Sequence, residues 1–188
     1  MVSIKEKGFT LIELVLIIGL LVLTAGVSSD IIITLIRSYN KTQITNEIEQ
    51  SADFVLLKLE REVRDAESVT VASGTTLTFK NADSHTIIYE VVSGAEGGMI
   101  VRRSDTAPPP VGTTTTYELT DSSFLGGGMN IICPGNICFA TTVTNGIGVV
   151  SVSMDFAQTT RATGKAAFTG TIPVRTTIVV RSMYKGAH

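Results

Sequence analysis

The chain has 188 residues, 44% of them hydrophobic, and its 17 acidic side chains against 15 Lys and Arg leave a formal net charge of −2. That balance supplies no general attraction for nucleic acid or an anionic membrane surface, so nucleic acid is not indicated as a partner. With a long apolar run at the N-terminus, the rest of the chain has room for one soluble domain of roughly 110 to 150 residues.

The opening MVSIKEKG is polar and carries Lys5 and Lys7. From Phe9 to Ser29 the sequence is apolar, with Glu13 as its only ionisable side chain. About twenty such residues in a helix cover roughly 30 Å, the thickness of a bilayer's hydrocarbon core. Lys5 and Lys7 precede the span, so the positive-inside tendency keeps the N-terminus in the cytoplasm and sends the remaining chain outward. An ordinary secretory signal peptide has the same basic start and apolar stretch, and Thr24-Ala25-Gly26 would suit its peptidase. Against that reading, apolar character resumes after Ser28-Ser29-Asp30 as IIITLI, where a peptidase needs an extended segment. A lone carboxylate in such a run also costs about 2.5 to 3.5 kcal/mol at the helix centre, which calls for a partner.

Gly8-Phe9-Thr10-Leu11-Ile12-Glu13-Leu14 resembles the processing and assembly motif of type IV prepilins and type II secretion pseudopilins, the class III-type leader GFTLIE. The resemblance implies cleavage between Gly8 and Phe9 by a membrane-embedded aspartyl protease, the prepilin peptidase/methyltransferase, and N-methylation of Phe9. It makes Glu13 the fifth residue of the mature chain, the family's assembly glutamate. It further implies other pilin or pseudopilin subunits, an inner-membrane assembly platform and membrane lipid as partners. The fold that goes with it is α+β, pilin-like, a long N-terminal helix packed on an antiparallel sheet. The location is the inner membrane, single-pass, and then a pilus or pseudopilus filament. One departure is the absence of the mid-helix proline of many major pilins; Gly19 and Gly26 are the helix-weakening residues of this span.

The chemistry of that motif is intelligible on its own. Cleavage after Gly8 leaves an ammonium group at the end of a hydrophobic helix, with Glu13 about one turn deeper, roughly 6 Å along the axis. A second subunit shifted axially can set its ammonium against this carboxylate, and in low dielectric the pair attracts strongly while either charge alone is penalised. Glycine at the cut lets a protease cleft approach the backbone closely.

The expected organisation is a leader at 1–8, a transmembrane and assembly helix at 9–36, an amphipathic helix at 37–67 and an extracytoplasmic β-rich domain at 68–188. In the amphipathic part Ile44, Ile48, Ala52, Val55, Leu56, Leu59, Val63 and Ala66 recur at steps of three and four and form one face for a sheet. Glu60 and Arg64 are spaced for an i, i+4 pair on the exposed side. From Val69 the pattern turns to short strands: Leu77–Phe79, Thr86–Val91 and Met99–Arg103, separated by Ala82-Asp83-Ser84 and by the glycine-rich Gly94–Gly98. These predict an antiparallel meander. Thr106–Pro110 reads as a stiff extended connector and Leu125–Met129 as a flexible one. Two further strands are expected at Val149–Phe156 and Pro173–Ser182. This order of blocks is similar to W-type minor pilins and J-type minor pseudopilins, subunits that sit near filament tips and help start assembly.

Cys133 and Cys138 bracket the turn-like Pro134-Gly135-Asn136-Ile137 and, in an oxidising compartment, read as a disulfide. Free buried thiols and a metal site are the alternatives, the latter with only His85 and His188 as further soft ligands. His85 in a turn and the terminal His188 read as solvated side chains. Asp105, Glu118 and Asp121 could attract calcium, but their spacing is not diagnostic, so no cofactor and no metal are expected. No nucleophile elbow, HExxH arrangement or phosphate-binding glycine loop accompanies the Ser, His and Asp residues, and no catalytic residue is expected. Arg102-Arg103, Arg161-Lys165 and Arg175-Arg181 are scattered along the chain. The rival reading is a secreted or membrane-anchored binding or hydrolytic domain with an ordinary signal peptide or anchor; the Gly8-Phe9 junction and Glu13 separate the two.

Overall fold

A 54-residue helix, α1 (Leu11–Arg64), opens the computed structural model, which describes residues 10–94, 98–121, 128–144, 147–158 and 170–180. The chain divides after Asn40 into two units. In the first, the carbonyl of Thr10 accepts the amides of Glu13 and Leu14 and so starts the helix. Every side chain from Leu11 to Tyr39 is exposed. By length and composition this helix can cross a membrane, and none of its apolar window is buried. The hydroxyls within it are satisfied locally: Thr24 donates to the Leu20 and Leu21 carbonyls, Ser28 to Thr24, Ser29 to Ala25 and Thr34 to Asp30, at 2.8–3.0 Å. Such back-bonding lets polar side chains sit in an apolar helix without external partners.

In the second unit the amphipathic pattern holds. Ile48, Ala52, Val55, Leu59 and Val63 are buried, with Ile44 and Leu56 packed against their cluster. Arg61 and Arg64 in the last turn suit the negative end of the helix dipole, and Glu60 pairs with Arg64 as its spacing predicts. The chain then leaves the helix by donating the Glu67 amide to the Lys80 carbonyl at 2.8 Å, which starts a sheet.

That sheet is an antiparallel meander of β1 (Ser68–Ser73), β2 (Thr76–Lys80), β3 (Thr86–Ser93), β4 (Met99–Thr106) and β5 (Thr114–Glu118), ordered as in sequence. Alternation sets its inner face: Leu77 and Phe79 in β2, Ile87, Tyr89 and Val91 in β3, and Val101 in β4 are buried. Phe79 and Tyr89 stack with ring centroids 5.9 Å apart. The second sheet is built on β8 (Ile147–Gln158), which pairs antiparallel with β6 (Met129–Ile132), β7 (Phe139–Thr144) and β9 (Thr171–Val179). Asp155 pairs with both Ile132 and Pro173, so β6 and β9 flank β8 on opposite edges. Pro173 lies in β9, where a missing donor is tolerated at a sheet edge. Phe139, Val150, Val152, Met154, Phe156 and Ile178 join the helix and first-sheet residues in one apolar core.

The architecture is therefore α+β, but with two antiparallel sheets where the sequence suggests one meander and two late strands. β1, β5, β6 and β7 go beyond the expected strands; they are short, and threonine-rich or partly polar. Thr106–Pro110 is not an extended connector. Thr106 pairs with Thr114, the Ala107 amide donates to the Thr113 carbonyl, and Gly112 at φ 57° supplies the left-handed residue that turns the chain back. Of the flexible connector, residues 125–127 lie outside the described residues, as do Arg181 and Ser182.

Candidate functional site

Glu13 stands in the first turn of α1, exposed, between Ile12 and Leu14, which are exposed as well. Carboxylates are favoured at this end of a helix by the dipole. Thr10 Oγ1 approaches Glu13 Oε2 at 3.5 Å, the outer limit of a hydrogen bond, and no cation pairs with Glu13 among the described residues. Gly8, Phe9, Lys5 and Lys7, the other residues of the expected processing and topology signals, lie outside the described residues.

The second unit holds a polar network that sequence reasoning did not find. Arg103 Nε donates to Glu62 Oε1 and Oε2 at 3.1 and 2.9 Å, and the Tyr89 hydroxyl donates to Glu62 Oε2 at 2.8 Å. Arg103 Nη2 donates to Asp105 Oδ2 at 3.1 Å, and Asp105 Oδ1 lies 2.8 Å from His85 Nδ1. Lys58 Nζ approaches Glu62 from the same helix at 3.8 Å. Burial, and after it the Glu62 carboxylate, push the Tyr89 phenol far above its ordinary range. Burial works against the charge on Arg103, yet the hydrogen bond and charge of Glu62, with Asp105, hold its pKa above the usual value. Burial likewise works against ionised Asp105, but hydrogen bonds from His85 and Arg103 keep its pKa below the ordinary value. The signal in the sequence was strand phase. Val101, Arg103 and Asp105 alternate on the face of β4 that carries Val101 into the core, so Arg103 needed a partner there.

His85 keeps 35% of its side chain exposed, and its ring is in addition tied to Asp105, a contact the sequence did not suggest. Asp105 is committed to Arg103 and His85 rather than open to calcium, and the described residues contain no cluster of three or more His, Cys, Asp or Glu able to hold a metal ion. His188 lies outside the described residues. Arg102 pairs with Glu90, and Arg175 Nη2 lies 2.6 Å from Asp155 Oδ1, an ion pair outside hydrogen-bond angles. These cations are thus neutralised; Arg161, Lys165 and Arg181 lie outside the described residues.

Cys133 and Cys138 form a disulfide around a 3₁₀ turn at Pro134–Asn136, with Gly135 and Asn136 at φ 62° and 60°. The loop is locked to the first sheet, since the Gly74 carbonyl accepts the amides of both Cys138 and Phe139 at 2.7 and 2.9 Å. No protein-family profile, characterised protein or solved structure matches this chain.

Proposed function

We propose that the chain is a type IV pilin-like subunit, a minor pilin or pseudopilin, cleaved between Gly8 and Phe9 and assembled into a filament through α1. The observation that carries this reading is Glu13, a carboxylate without a cationic partner among the described residues, in the first turn of an exposed apolar helix and five positions after Gly8. Its partner in this reading is the N-terminal ammonium, methylated at Phe9, of an axially displaced neighbour. A low-dielectric setting makes that pairing selective, because each charge is unfavourable alone.

The rest of the chain suits such a role. The long helix continues into an amphipathic half that buries its apolar face on strands, and the large sheets supply a folded body outside the membrane. The disulfide suits an extracytoplasmic body, since oxidising compartments preserve such bonds. Lys5 and Lys7 fix the orientation, and the work of the protein is non-covalent assembly rather than catalysis.

Intact-mass and N-terminal peptide mass spectrometry on protein purified from membranes of a host with active prepilin peptidase tests this directly. The expected chain begins at Phe9 with one added methyl. A chain beginning near Val27, or one left uncut beside active peptidase, would overturn the reading in favour of a secreted or simply anchored domain.

A further inference from the structure

Asp30 is the second carboxylate on the apolar part of α1. Between Leu11 and Ile36 it and Glu13 are the only charged side chains, and Arg37 is the next charge along the helix. The hydroxyls of Thr24, Ser28, Ser29 and Thr34 need nothing from outside, because each donates to a carbonyl one turn back. Asp30 is different. Its backbone carbonyl accepts from Thr34, but its carboxylate joins no ion pair among the described residues, and neither does Arg37. Both are exposed, with Ile31, Ile32, Ile33, Leu35 and Ile36 exposed between them.

Their spacing decides what can neutralise them. Seven residues turn a helix through almost two full turns, so Asp30 and Arg37 lie within about 20° of one another around the axis and about 10.5 Å apart along it. That is beyond the three- and four-residue spacings at which side chains on one helix meet. A second, parallel copy displaced by two turns brings its Asp30 level with Arg37 of the first.

We propose that Asp30 and Arg37 form an ion pair between two parallel copies of this chain, which sets an axial stagger of about 10.5 Å between neighbouring α1 helices, about 4.5 Å more than the spacing from Phe9 to Glu13 and a difference that the length of the Glu13 side chain spans. The inference rests on the filament reading for its parallel neighbour. Charge complementarity chooses the stagger: helices in register would set Asp30 against Asp30 and Arg37 against Arg37, two like-charge contacts, whereas the displaced arrangement removes both and puts one attractive pair in their place. The contact is also heterologous. It leaves Arg37 of one copy and Asp30 of the other unused, so the same step can be repeated into a filament instead of closing as a dimer.

Full-length chain, produced with its peptidase and assembly machinery, gives the test through the amount recovered in sheared filaments. Asp30→Arg and Arg37→Asp should each reduce assembled protein by about tenfold, and the two together should restore most of it. If the double exchange fails to restore assembly while wild type assembles, the pair is overturned. A cross-link that keeps both charges gives an independent readout. Two differently tagged copies carrying Ile33→Cys and Asn40→Cys are oxidised in the membrane; the native cysteines are already bonded to each other and do not compete. Mixed-tag Ile33-to-Asn40 bonds should predominate. A predominance of Ile33-to-Ile33 or Asn40-to-Asn40 bonds, or no preference, would overturn the stagger. Wild-type chain that is never cut before Phe9 would instead remove the filament reading, and the pair with it.

Discussion

Arg103 Nε donates to both carboxylate oxygens of Glu62, so that β4 is bonded to α1 across a distance of 41 residues in sequence. The arginine side chain is 9% exposed and the glutamate 20%, which makes this a partly desolvated, charge-assisted pair. Tyr89 donates to the same carboxylate, so removing Glu62 strands two donors, whereas removing Arg103 takes a partner from two carboxylates, leaving Glu62 with the Tyr89 phenol and Lys58 and leaving Asp105 with His85. Glu62→Gln and Arg103→Gln should each destabilise the fold by about 2–4 kcal/mol, with a coupling of about 1.5–3 kcal/mol in a double-mutant cycle. Urea denaturation of full-length protein in detergent measures it, and strictly additive losses would show that the pair carries no energy of its own.

Asp105 gives the fold an acid-sensitive contact. Burial raises its pKa, but the hydrogen bonds from His85 and Arg103 outweigh this and leave it below the ordinary 3.8. A carboxyl with a folded-state pKa below its unfolded value binds fewer protons when folded. Its stabilising contribution is complete above the unfolded pKa and is lost as pH falls through the folded one. Asp105→Asn should therefore lower stability at pH 7 and flatten the decline of the urea midpoint below about pH 4. An unchanged acid limb in that variant would mean that other carboxyls dominate it.

Much of the second unit was legible in the sequence because periodicity carries burial. Ile48, Ala52, Val55, Leu59 and Val63 are buried as their three- and four-residue steps require, and Ile87, Tyr89 and Val91 follow the alternation of a strand. What stayed hidden depends on pairing between distant segments. The threonines of β5 have no apolar alternation, and all of its residues are exposed; only the register with β4 makes it a strand, with Ser104 facing Thr116 and Thr106 facing Thr114 through their hydroxyls. The Glu62, Tyr89 and Arg103 network joins three elements, so no local pattern contains it. Glu13, by contrast, is conspicuous from sequence alone, because a single charge in an apolar run needs no fold to be noticed.

Gly74 is where the turn between β1 and β2 meets the disulfide loop. A Cβ at this position would stand 2.6 Å from the Asn136 carbonyl oxygen and 3.2 Å from Ile137 Cα, both backbone atoms that cannot swing aside. Gly74→Ala should cost about 1–3 kcal/mol, the usual range for overpacking. Thermal unfolding under oxidising conditions tests it, and a neutral result would show that the loop yields easily.

The loop itself is short, with a sequence separation of 5 between the bonded cysteines. Chain-entropy reasoning assigns such a closure about 2 kcal/mol. Cys133→Ser/Cys138→Ser should lose about that much and no more, because the Gly74 carbonyl still accepts the amides of residues 138 and 139. The urea midpoint of the double variant checks the size, and a much larger loss would mean that the bond also positions β7.

Glu13 should separate processing from assembly. On the proposed filament reading, the cut between Gly8 and Phe9 concerns backbone that lies before it, whereas the carboxylate acts on a neighbouring subunit once the ammonium exists. Glu13→Gln keeps size and hydrogen-bonding capacity but removes the charge, and Glu13→Ala removes both. Both variants should be cut before Phe9, and both should fall by about tenfold or more in sheared filaments, since a buried ammonium left without its carboxylate is strongly unfavourable. Agreement between the two variants would assign the effect to charge. Loss in Glu13→Ala with full assembly of Glu13→Gln would assign it to hydrogen bonding or packing instead, and the charge-pair mechanism would have to be abandoned.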